Sequence, residues 1–193
     1  MKLNLGGDER FESDYISVGF GQQINVDVTK KIPLKDRSVD FIWSERMLEH
    51  VKVQDIEKVI INVSRLLKKG ATARFCMPSC FYCDDRSIDM MRPNNYEKQV
   101  KLGHVTWFTH EGIGEIKPNL FGLKDSPEPT IKLKDLLKKH SLKYILLRWH
   151  DKDRKLHYDD NILSRPMAET FIDHPEIVIH RPNSLIFEGI LDE

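Results

Sequence analysis

The residues of this chain best suited to chemistry fall into two groups. The first is an apolar run that stops at glycines, Leu3-Asn4-Leu5-Gly6-Gly7-Asp8, followed later by Ile24-Asn25-Val26-Asp27. Paired glycines let the backbone turn tightly and approach a ligand with no Cβ in the way, and a carboxylate ending a later strand accepts hydrogen bonds from it. That order points to a nucleotide-type cofactor held at strand ends, although a glycine pair after a strand is also an ordinary strand-to-helix turn. The second group is His50, His104 and His110, whose imidazoles titrate at about 6.5 when unperturbed and so suit a general base near neutrality. His50 stands beside Glu49 just after the apolar run Val39-Asp40-Phe41-Ile42-Trp43-Ser44, and the pair serves equally well to brace a helix start. His104, between Gly103 and the aromatic pair Trp107-Phe108, is either a contact to a sugar face or a satisfied surface histidine. Trp43 reads as core and Trp107 as a stacking platform, while Asp84-Asp85 is either a divalent-cation ligand that lowers the pKa of a hydroxyl or, as adjacent acids usually are, a solvated pair.

The cysteines raise a rival chemistry. Cys76-x3-Cys80-x2-Cys83, with Tyr82 before the last thiol, is similar to the motif by which radical S-adenosylmethionine enzymes hold an iron–sulfur cluster. Against that reading, Cys76 falls inside an apolar strand, where a free cysteine behaves as a small hydrophobe, and too little chain follows Cys83 for the repeated units of such a barrel. Zinc lacks an evident fourth ligand, so no metal site is expected.

The elements that must position these groups alternate between strand and helix, the pattern of an α/β layer structure. Met1 to Gly6 reads as the first strand, Tyr15 to Gly19 and Ile24 to Val28 as short strands, and Val39 to Ser44 as a buried parallel strand. From Asp55 onward Ile56, Val59, Ile60, Val63, Leu66 and Leu67 fall on one helical face, with lysines in the last turn and Gly70 placed to end it. Ala71 to Met77 is the next strand. Residues 79 to 130 carry prolines and scattered aromatics without sustained periodicity, the texture of a loop-rich substrate cap. Thr130 to His140 reads as a second helix, and Lys143 to Trp149 and Asn183 to Leu191 as the final strands. Arg148 to Lys155 is expected to be a strand and turn rather than a nucleic-acid surface.

Composition bounds the rest. A chain of 193 residues is most simply one domain, 1–193. Lysine plus arginine equals aspartate plus glutamate at 30 each, so no net field draws the molecule to nucleic acid or anionic lipid. No run approaches a membrane span, and three clustered cysteines make no disulfide framework, so a cytoplasmic protein is expected.

Taken together, Leu3-Asn4-Leu5-Gly6-Gly7, Tyr15-Ile16-Ser17-Val18, Asp27-Val28-Thr29-Lys30, Ile32 to Asp40, Met47-Leu48-Glu49-His50 and Arg65 to Gly70 resemble the small class I S-adenosylmethionine-dependent methyltransferases. The resemblance covers residues 1–79, and Asn183-Ser184-Leu185-Ile186-Phe187 is similar to the last strand of a subgroup linked to surface-glycan synthesis. It implies a Rossmann-like, doubly wound, mostly parallel sheet of about seven strands, with an antiparallel strand near the C-terminus, a cofactor-binding half at 1–79 and a cap at 80–130. The cofactor implied is S-adenosyl-L-methionine, leaving S-adenosyl-L-homocysteine, and the acceptor an oxygen of a sugar or glycan precursor; neither nucleic acid nor a membrane span is implied. In that placement Gly6 and Gly7 pass the methionine part and ribose, Asp27 accepts from the adenine amino group, Val28 and Leu34 line the adenine, and Ser44, Glu45 and Arg46 face the sulfonium and acceptor. Methyl transfer needs in-line placement and, for a hydroxyl, a base, for which His50 with Glu49 and His104 are the candidates. Two departures stand out: Asp8 replaces the family's third glycine, and Gly19 stands where the second strand usually ends in a ribose-binding acid. Either Asp27 is itself the ribose ligand, with Tyr15 to Gly19 a loop, or Asp8 or Glu9 takes over that contact, or the chain is a non-catalytic module on the same fold.

Overall fold

The computed structural model describes residues 1–7, 14–80, 96–118, 128–153, 155–159 and 184–192. In chain order these form β1 (Lys2–Leu5), β2 (Tyr15–Gly19), β3 (Ile24–Asn25), β4 (Val39–Glu45), one turn of 3-10 helix (Leu48–His50), α1 (Val53–Leu66), β5 (Leu67–Pro78), α2 (Tyr96–Lys101), β6 (Thr106–Phe108), β7 (Gly112–Glu115), β8 (Ile131–Lys132), α3 (Leu133–Lys139), β9 (Leu142–His150), β10 (Leu156–Tyr158) and β11 (Ser184–Leu191). The main sheet has eight strands in the order β10-β9-β11-β5-β4-β1-β2-β3. β3, β2, β1, β4 and β5 run parallel, while β11 is antiparallel to both of its neighbours, β5 and β9. The eighth strand is the edge pair of β9, a three-residue piece too short for sequence periodicity to show.

Chain chemistry explains the layering. In β4 every residue except Asp40 is buried, as a strand covered on both faces requires. On one face Leu3, Leu5, Ile42, Ala73, Phe75, Leu185 and Phe187 pack with the apolar stripe of α1 and with Leu133, Leu136 and Leu137 of α3 in a single core. The other face gathers Phe41, Trp43, Cys76, Leu147 and Ile186, around an ion pair in which Arg74 Nε donates to Glu188 Oε1 at 2.9 Å. Both of those side chains are fully buried.

Several expected boundaries move. Helix α1 stops at Leu66 rather than at Gly70, because Leu67 already pairs with Val39 as the first residue of β5. The ladder then slips, with Phe41 opposite Thr72, and Gly70 at φ +74° turns the chain inside that bulge. The expected strand Ile24 to Val28 ends at Asn25, and the expected helix from Thr130 begins at Leu133 because Ile131–Lys132 pairs with β7. Part of the stretch read as a loop-rich cap is ordered as α2 and a three-stranded antiparallel sheet, β6-β7-β8. No helix among the described residues is long and apolar enough to cross a membrane.

Candidate functional site

Strand order places the site. The chain runs outward from β1 to β2 and β3 on one side and then continues at β4 and β5 on the other, so the carboxyl ends of β1 and β4 flank the topological switch point where open α/β sheets bind ligands. At that edge Gly6 and Gly7 take φ values of +103° and +64°, which side chains rarely adopt. A Cβ on Gly6 would stand 2.6 Å from Met47 Cβ, and one on Gly7 would stand 2.1 Å from Gln22 Cδ. The Gly6 N–H donates to Val18 O at 2.9 Å, which ties the ends of β1 and β2 together. Gln22 was not singled out by sequence; its amide donates to Gly7 O at 3.4 Å and lies across the glycine turn.

Tyr15–Gly19 is a true strand, paired in parallel with β1, so Gly19 and not Asp27 ends the second strand. Asp27 follows β3. Its Oδ1 accepts from the Thr29 N–H at 2.9 Å and the Thr29 hydroxyl at 2.7 Å, closing a local turn, and these bonds hold its carboxyl below the usual range. Beyond it Val28 is buried and Leu34 half-buried. Two residues of α1 clamp this stretch. Asn62 Nδ2 donates to Val28 O at 3.0 Å and to Lys30 O at 2.6 Å. Arg65 donates to Ile32 O at 2.7 Å and Leu34 O at 2.9 Å. Neither residue carries a motif, so only the folded chain exposes the role. Asp8, Glu9, Cys83 and Asp84-Asp85 lie outside the described residues.

At the end of β4 the chain supplies Ser44 and Glu45, both buried, and then Arg46 in the left-handed region at φ +52° with its N–H donating to Cys76 O at 2.9 Å. The 3-10 turn follows and buries Glu49 to 2% exposure while leaving His50 exposed. The cap docks on this turn through its backbone: Val105 N–H donates to Glu49 O at 2.8 Å, and the Thr106 hydroxyl donates to Val51 O at 2.5 Å. That docking sets His104 against His50, with ring centroids 4.8 Å apart and planes at 74°. Ligating atoms of Glu49, His50 and His104 all lie within 4.8 Å of one another. The three catalytic candidates thus form one cluster.

Its electrostatics follow from burial. Desolvation pushes the Glu49 carboxyl up to about 7, and neither carboxylate oxygen has a hydrogen-bond partner among the described residues. Desolvation, with lesser contributions from His50 and Arg46, pulls His104 down to about 4, so its imidazole is neutral at physiological pH. His104 Nδ1 lies 2.6 Å from Gln99 Oε1. A carboxamide oxygen only accepts, so Nδ1 carries the proton and Nε2 keeps its lone pair.

Other candidates fall elsewhere. His110 lies away from the cluster, lining a cavity of about 600 Å³ with Glu111, Lys132, Asp135 and Tyr144. Trp107 is buried, and its ring stacks on Gly114, where a Cβ would come within 2.4 Å of it; cap packing, not a ligand, occupies that face. Cys76 is buried in the core cluster with Phe41 and Trp43. The cluster of potential metal-ligating side chains found among the described residues contains no cysteine.

Residues 9–75 match the family model described as a methyltransferase domain. Structures of the same architecture include the YcgJ protein of Bacillus subtilis, at a TM-score of 0.53 and 14% identity over 100% of this chain and 92% of that one. The chain shares the fold of S-adenosylmethionine-dependent methyltransferases. A methyltransferase described as S-adenosylmethionine-dependent, from Archaeoglobus fulgidus, gives a TM-score of 0.50 at 12% identity over 98% of this chain and 84% of that one. Phosphoethanolamine N-methyltransferase 2 of Haemonchus contortus, solved with S-adenosyl-L-methionine, gives 0.51 at 11% identity, covering 100% of this chain and 48% of that one. No curated protein sequence matches this methyltransferase-fold chain.

Proposed function

We propose that the chain binds S-adenosyl-L-methionine across the β1–β4 edge and transfers its methyl group to an acceptor oxygen held at Glu49, His50 and His104 beneath the cap, on a sugar or glycan precursor. One observation carries this reading. The fold's ligand-binding edge and the convergent cluster share a single short link, Ser44 to Glu49, with Met47 packed directly on Gly6. Gly6, Gly7 and Gly19 leave backbone room for the methionine part and ribose, Val28 and Leu34 wall the adenine, and Ser44, Glu45 and Arg46 face the sulfonium. Asp27 Oδ1 serves the Thr29 turn, which leaves Oδ2 to accept from the adenine amino group.

Transfer is then an in-line displacement. The acceptor O–H loses its proton within the cluster, the oxygen bonds to the methyl carbon, and the S–CH3 pair returns to sulfur to give S-adenosyl-L-homocysteine. The protein contributes placement, exclusion of water and a proton acceptor.

Gln22 lying over Gly7, together with the missing acid at Gly19, supports a second reading, a binding module that has lost its donor. Calorimetry with S-adenosyl-L-homocysteine separates the two: saturable binding supports the enzyme, and none at millimolar ligand supports the module. Asp27→Ala should weaken binding by about 1.5–3 kcal/mol, the value of a hydrogen bond to a charged group. Asp27→Asn keeps an acceptor for Thr29 and separates loss of the turn from loss of the ligand contact.

A further inference from the structure

We propose that Glu49, His50 and His104 bind one divalent transition-metal ion of the zinc class. Three protein donors from two chain segments, the 3-10 turn and the α2–β6 link, converge to within 4.8 Å of one another. A tetrahedral ion with bonds of about 2.0–2.2 Å needs its ligand atoms roughly 3.3 Å apart. His50 is the exposed member and lies over Gly103, where a Cβ would stand 3.3 Å from its Nδ1.

The surroundings argue independently for a ligand. A carboxylate buried to 2% exposure with neither oxygen partnered among the described residues is costly, and a bound cation removes that cost. His104 already has the outer-shell contact typical of a metal-bound imidazole, Nδ1–H to Gln99 Oε1 at 2.6 Å, which leaves Nε2 as its ligating atom. The charged groups beside the two imidazoles are the carboxyls of Glu49 and Glu45 and the guanidinium of Arg46. Two imidazoles and one carboxylate form a mixed nitrogen–oxygen set, which suits zinc, cobalt or ferrous iron and not the all-oxygen shells of magnesium or calcium.

Three protein ligands leave a coordination position open. Resting on the methyl-transfer reading above, that position takes the acceptor hydroxyl, and the ion replaces the side-chain base of that reading: it lowers the hydroxyl's pKa so that the proton leaves to water before the oxygen attacks the methyl carbon. The ion is neither oxidised nor reduced.

The test is cobalt(II) titration of the tag-free, EDTA-stripped full chain, followed by visible absorption and calorimetry. The expected result is one ion per chain, with a ligand-field spectrum that lacks a thiolate charge-transfer band. Glu49→Gln and His104→Ala should each weaken binding by more than about 100-fold, and Gln99→Leu by about 10–100-fold, as outer-shell losses do. Circular dichroism and melting confirm that each variant is folded. No saturable binding by the wild type, a thiolate band, or wild-type affinity in Glu49→Gln and His104→Ala would each overturn the site. Homocysteine-product binding measured on the same sample keeps the two proposals apart, since a lost metal site leaves donor binding intact and the reverse also holds.

Discussion

At the scale of single residues, the glycine turn carries the most weight. Gly6 cannot gain a side chain without meeting Met47, and its φ of +103° opposes any Cβ. Gly6→Ala should therefore destabilise the fold by about 1–3 kcal/mol through backbone strain and overpacking. It should also weaken S-adenosyl-L-homocysteine binding beyond that expected from stability alone. Chemical denaturation and calorimetry on the same preparation check both; an unchanged midpoint would mean that the turn relaxes freely. This turn was legible in sequence because the glycine pair stands in order with the later strand and carboxylate motifs; alone it also fits an ordinary strand-to-helix turn. Gln22, which lies across it, and Gln99, which orients His104, were not legible, because a glutamine's partner is defined only once distant segments meet. Trp107 was misread for a related reason: its platform is Gly114, on the neighbouring strand.

Among the elements, α1 does two jobs. Its apolar stripe builds the core, and its Asn62 and Arg65 hold the segment from Val28 to Leu34 in place. Asn62→Ala leaves the stripe intact but strips the buried Val28 carbonyl and the part-buried Lys30 carbonyl of their donor, at a cost of about 1–3 kcal/mol. If that segment walls the adenine, donor affinity falls while cobalt affinity at the Glu49 cluster does not; equal losses in both would show a global effect. In the sheet, Arg74 on β5 sits directly opposite Glu188 on β11, both without exposure. Replacing either alone by methionine should cost about 3–5 kcal/mol, because one buried charge is left bare, whereas the double replacement should recover most of it. A double-mutant cycle in urea reads this directly. The stripe of α1 was evident from spacing alone. Its end was not: Arg65 to Gly70 reads as helix with a glycine stop, but pairing of Leu67 with Val39 outweighs local propensity.

For the whole molecule, the sheet order and the cap explain why scattered candidates become one site. Glu49, His50 and His104 each attract notice by residue type, yet nothing in their spacing predicts that they meet. They meet because the Val105 N–H and the Thr106 hydroxyl fasten the cap to backbone carbonyls of Glu49 and Val51, and carbonyl acceptors leave no signature in a sequence. The alternating strand and helix patterns did reveal the α/β class, and β11 was visible as a strand though its two antiparallel partners were not. The most direct test of the account is a crystal structure with S-adenosyl-L-homocysteine bound. The account predicts density along Gly6 and Gly7, adenine between Val28 and Leu34, and sulfur facing Ser44 to Arg46 within reach of the Glu49–His50–His104 cluster. An edge still covered by Gln22 at saturating ligand, or density in the His110 cavity instead, would contradict it.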